Sequence, residues 1–140
     1  MSRRAVPRDE PPPGDAVGQW RLSHDATSAA LARRLVTQAL TRPPKPAAEP
    51  VLRRAVLATS ELVANAVRHA RQPLALEVRR TAAGWVVAVT DGDQSGPQAR
   101  TPDPLSENGR GLLIIDRSTE RSGWAPTTKG KVVWFELWDR

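Results

Sequence analysis

The chain has 140 residues, no cysteine and a formal charge of +6, with 18 of its 21 basic residues arginine. That length suits one domain with a single substantial core, and the lack of cysteine excludes a disulfide framework, a thiolate metal site and a cysteine nucleophile together. No stretch has the apolar length of a membrane span and no apolar segment follows the first arginines as a secretory signal requires, so a cytoplasmic protein without membrane association is expected. The arginines occur in singles and pairs interleaved with 15 acids, which reads as a solvated surface rather than a direct nucleic-acid interface.

Residues 1–16 carry four prolines, three arginines and three acids with almost nothing to bury, the composition of a disordered tail. The domain is expected over 17–140. Residues 17–22 alternate loosely around Trp20 as a short edge strand. Ser23, Asp25 and Thr27 are cap candidates for a helix reaching about Leu40, with Leu31, Leu35, Val36 and Ala39 as its expected buried stripe. Four prolines then break 41–50. A second helix is expected from Pro50 or Val51 to before Pro73. At 100° per residue, Leu52, Ala55, Val56, Val63, Ala66 and Ala70 share one stripe of it. Glu61, Asn65 and Arg68 share another.

Residues 74–80 and 85–90 read as strands joined by a turn at 82–84. Residues 92–111 then hold three prolines, four glycines and little to bury. A loop that long in a compact domain is a candidate lid. Residues 112–116 read as a short buried helix or a strand, 122–125 as a strand, 126–130 as a turn and 131–138 as a closing strand with Val133 and Phe135 alternating. The order predicts an α/β fold: a two-layer sandwich with a mixed, mostly antiparallel sheet and helices on one face.

A Walker-type loop, a dinucleotide fingerprint, a zinc site and a nucleophile elbow all fail on spacing or residue type. Three features remain. Glu61 and Asn65 set a carboxylate and a carboxamide one turn apart, fitting the wet face of an ordinary helix as well as a ligand wall. Asp91-Gly92 ends a strand, where a simple turn is the commoner meaning. Asn108-Gly109-Arg110-Gly111-Leu112 leads into a helix, where glycine N–H groups and Arg110 suit an anion.

Taken together, Glu61-Leu62-Val63-Ala64-Asn65-Ala66-Val67-Arg68-His69, a strand ending in Asp91 and a later Gly109-Arg110-Gly111-Leu112 resemble the GHKL (histidine-kinase-like, Bergerat) ATP-binding fold. The chain is similar to that fold's single-domain branch, the anti-sigma-factor serine/threonine kinases, and residues 130–137 look like that branch's last strand. The resemblance implies ATP and Mg²⁺ as cofactors. Asn65 would give Mg²⁺ its side-chain oxygen, Glu61 would take the proton of an incoming hydroxyl, and Asp91, with Gly92, would meet the adenine amino group. Gly109, Arg110, Gly111 and Leu112 would hold the phosphates. His69 matches a family position without an assigned role.

The resemblance also implies a homodimer that phosphorylates an anti-anti-sigma (STAS-type) partner and controls a sigma factor. The alternative is a non-catalytic ATP-binding module working through protein contacts. Two positions depart from the family pattern. Asp93 stands where a small residue is common, and Val132 is taken as the position of a threonine near adenine.

Overall fold

The computed structural model describes residues 7–69, 74–92 and 114–139. Five strands form one sheet: β1 (Asp15–Leu22), β2 (Leu74–Arg80), β3 (Gly84–Asp91), β4 (Arg121–Pro126) and β5 (Lys131–Trp138). Their order is β1-β2-β3-β5-β4, and every neighbouring pair is antiparallel. β2 and β3 meet in a tight hairpin. The Thr81 N–H donates to the Gly84 carbonyl at 2.8 Å, and the Gly84 N–H donates to Thr81 Oγ1 at 2.9 Å.

Alternation assigns the two sheet faces. Leu74, Leu76 and Val78 of β2, Trp85, Val87 and Val89 of β3, and Val133, Phe135 and Leu137 of β5 join one core with the helices. Val86, Ala88, Ala125, Val132 and Trp134 form a second cluster on the opposite face.

Two helices, α1 (Ser28–Leu40) and α2 (Glu49–His69), pack on each other, and α2 lies against β3 and β5. α1 spans the expected residues but is rotated about its axis. Its buried residues are Ser28, Ala32, Val36, Ala39 and Leu40, while Leu31 is exposed and Leu35 half-buried. Small residues at 28, 32 and 39 let α1 approach its neighbours closely, which pushes Leu31 outward. Thr27 is the N-cap by position but makes no side-chain cap bond. Its hydroxyl and N–H both donate to Asp25 Oδ1, at 2.5 and 2.8 Å. These two bonds, the hydroxyl first, hold the Asp25 carboxyl below its ordinary value.

α2 touches both α1 and the sheet, so it buries a wider arc than one stripe. Val51, Ala55, Ala58, Thr59, Leu62, Val63 and Ala66 are buried, with Leu52 and Val56 only half so. Ala70, expected on that stripe, lies outside the described residues. The helical turn 114–118 adds Ile115 to the same core.

The segment ahead of β1 differs from its reading as a tail. Residues 7–9 run parallel to β4 along its outer edge, bridging at Arg8 and Trp124. The Trp124 N–H donates to the Pro7 carbonyl at 3.0 Å, and the Asp9 N–H donates to the Trp124 carbonyl at 2.7 Å. Trp134 Nε1–H donates to the Asp9 carbonyl at 2.8 Å, and Arg79 reaches the Pro12 carbonyl from β2 at 3.3 Å. The Asp9 and Pro12 carbonyls thus meet side chains of β5 and β2 in turn, which carries the strap across the sheet's second face. The chain is ordered here because Trp134, fully buried, needs a cover and an acceptor for its indole N–H.

Candidate functional site

The polar stripe of α2 is on the outside of its packed arc. Glu61 and Asn65 are half-buried, and Arg68 and Leu57 are exposed. Arg54 shares this stripe and donates to Glu120 Oε2 at 3.3 Å. Glu120 is itself fixed. Its N–H donates to the Glu136 carbonyl at 3.0 Å, and its Oε1 accepts the Trp138 N–H at 2.9 Å. The Arg54 end of α2 is thus tied beside the Glu136 end of β5.

α2 packs against β3 and β5 with Leu62, Val63 and Ala66 in the core. Lys131 pairs in register with Asp91.

Asp91 is the last residue of β3, and alternation puts it on the helix-facing side with Val89. It is 2% exposed. Its Oδ1 accepts from Lys131 Nζ at 3.2 Å, and Lys131 is 5% exposed. The contact depends on Gly130. A Cβ there would stand 1.8 Å from the Asp91 carbonyl oxygen and 2.7 Å from Gly92 Cα, so only glycine lets the turn before β5 seat against the end of β3. Thr127 closes that turn, donating its N–H to the Gly130 carbonyl at 2.8 Å and accepting the Gly130 N–H on Oγ1 at 3.0 Å.

Of the residues singled out from the sequence, Glu61, Asn65, Asp91 and Gly92 fall in described segments. All but Gly92 can be assigned a face, and each faces the helix side of the sheet or the wall rising from it. His69 closes α2, and its side chain lies outside the described residues. Gly109, Arg110, Gly111 and Leu112 lie outside them too, as does Asp93. Lys131 is not among the residues to which the sequence points, and the motif puts Val132 at the position near adenine instead. Cross-strand register decides this, since Val132 pairs with Thr90 and Lys131 with Asp91. A lysine opening an otherwise apolar strand was the available signal.

Among the described residues no cluster of three or more His, Cys, Asp or Glu side chains is arranged to hold a metal. A hard cation shared with phosphates needs only one or two protein oxygens plus water, and the Asn65 carboxamide fits that need. A carboxylate buried at a strand end is equally suited to reading a base. No helix among the described residues is long and apolar enough to cross a membrane.

Residues 22–137 match the family described as the histidine kinase-like ATPase domain. The chain belongs to that family. Membership implies ATP as the ligand of this histidine kinase-like domain. No curated protein matches the chain. Among solved structures it is similar to the RsbU and RsbW domains of Rv1364c from Mycobacterium tuberculosis, with a TM-score of 0.62 and 17% identity. That similarity covers 87% of this chain and 32% of the other, so the chain spans about a third of the neighbour's length. At such identity the likeness shows the fold, the same α/β sandwich built here by β1–β5, α1 and α2.

Proposed function

We propose that this histidine kinase-like domain is a Mg-ATP-dependent regulator of the anti-sigma type, which phosphorylates a serine or threonine of an anti-anti-sigma (STAS-type) partner. The observation that carries the reading is the carboxylate of Asp91, buried at the end of β3 on the face of the sheet against which α2, the helix of Glu61 and Asn65, packs. The RsbW domain in the structural neighbour supports the anti-sigma part of it. A homodimer, a partnered sigma factor and a cytoplasmic location belong to the same reading.

ATP, when bound, supplies the transferable phosphoryl group and brings Mg²⁺ with it. The chain's own residues then divide the work. Asp91 holds the base from the sheet end, and Gly92 lets the backbone turn away from it. Asn65 would offer one side-chain oxygen to the metal, which would offset phosphate charge. Glu61 accepts the proton of the attacking hydroxyl, for which a carboxylate one turn from the metal ligand is suitably placed. Gly109, Arg110, Gly111 and Leu112 are assigned to the phosphates, and His69 to the same wall.

Two measurements test this. Mg-ATP should raise the melting temperature of the wild type, and Asn65→Ala should lose most of that rise. Incubation with γ-labelled ATP and a purified STAS partner should label the partner, and Glu61→Ala should bind ATP without transferring label. Binding without transfer by the wild type would replace the kinase with a non-catalytic ATP-binding module.

A further inference from the structure

The buried pair of Asp91 and Lys131 is more than the fold requires. Taking two opposite charges out of water is costly, and apolar side chains at neighbouring strand positions hold a sheet together at least as well. The pair lies at the end of the sheet where the base is placed by the reading above. A carboxylate is an acceptor only. Alone, it favours a purine edge that offers donors, such as the 6-amino group of adenine. It disfavours a 6-oxo group, because two acceptors then face each other.

Lys131 changes that balance. Its ammonium carries donors only and stands 3.2 Å from Asp91 Oδ1. Gly130, which no residue with a Cβ can replace without a collision at Asp91, holds it in register. This end of the sheet therefore carries an acceptor and a donor side by side. Adenine offers an N6–H donor beside the N1 acceptor, and a 6-oxopurine offers the O6 acceptor beside an N1–H donor. The pair can meet either edge, with ammonium and carboxylate exchanging their partner atoms. Resting on the nucleotide-binding reading, we propose that Lys131 is a specificity-determining residue that opens the site to 6-oxopurine nucleotides as well as to ATP.

ITP and ATP differ only at purine position 6 and in the proton on N1, which makes them the right probes. Titration calorimetry of the full chain with Mg²⁺ should show ATP favoured over ITP by less than about tenfold. A preference of tenfold or more would overturn the assignment. Lys131→Met, first shown to be folded by its melting curve, should raise the ATP-over-ITP preference by about tenfold or more. An unchanged ratio in the folded variant would also overturn it. If that variant does not fold, the wild-type comparison decides alone. Binding of neither nucleotide by the wild type would remove the nucleotide-binding reading, and the role of Lys131 with it. ATP binding with strong rejection of ITP would remove the role of Lys131 alone.

Discussion

Replacing Lys131 with methionine removes one charge of a pair that is 6% and 2% exposed by side chain, at 3.2 Å. At an effective dielectric near 20, charges at that separation attract by about 5 kcal/mol. Breaking a buried pair of this kind costs about 3–5 kcal/mol. For a chain of 140 residues, an unfolding entropy of about 2.1 cal/mol/K per residue turns this into a drop of roughly 10–17 °C in melting temperature. The assay is thermal unfolding without nucleotide, run beside the double variant Asp91→Leu/Lys131→Met. The double variant should recover most of the loss, because it removes both buried charges together. A single-variant loss below about 1 kcal/mol would show that the pair behaves as a solvated surface contact, and the burial argument would fail.

Trp134→Phe removes the indole N–H held by Asp9 and part of a fully buried ring. It should cost about 1–3 kcal/mol in urea unfolding and speed proteolysis within residues 7–14. Leu62→Ala, in the α2 core at 2% exposure, should cost about 2–5 kcal/mol by the same measurement. Asp25 has its folded carboxyl held below the ordinary 3.8, so its contribution is present above that value and is lost as pH falls through the folded one. The melting difference between wild type and Asp25→Asn should therefore be visible near neutrality and vanish in acid; a difference that grows on acidification would contradict the assignment.

Much of the fold was legible because strong local signals bounded its elements. Prolines at 43, 44 and 46 ended α1 and isolated α2, and Ala82-Ala83-Gly84 marked the hairpin. The two clearest misreadings were non-local. Nothing near residues 7–14 says that they must cover Trp134, which lies more than a hundred positions away and on the far face of the sheet. Likewise, Lys131 becomes the neighbour of Asp91 only through the β3–β5 register. A shift of one residue would have put Val132 there, as the motif suggested. The rotation of α1 has a third cause. Leu31 fits a buried stripe by periodicity, yet close packing of the small residues Ser28 and Ala32 against the domain turns it outward. At the site, Glu61, Asn65 and Asp91 are readable as a motif, whereas the Arg54–Glu120 tie between α2 and the segment before β4 is a non-local contact that no motif announces.

The direction of the strap bears on how this protein can be handled. Residues 7–9 run parallel to β4, so moving from Asp9 back to Pro7 follows β4 from its Pro126 end toward Arg121. Pro126 is the strand partner of Lys131. Pro7 is level with Gly123, three residues or roughly 10 Å along β4 from the Pro126 end, so an affinity tag or fluorescent domain fused ahead of residue 7 joins the strap on the side away from that end. Such a fusion can report on nucleotide binding without standing in its way, provided that residues 7–14 are kept intact between the label and β1.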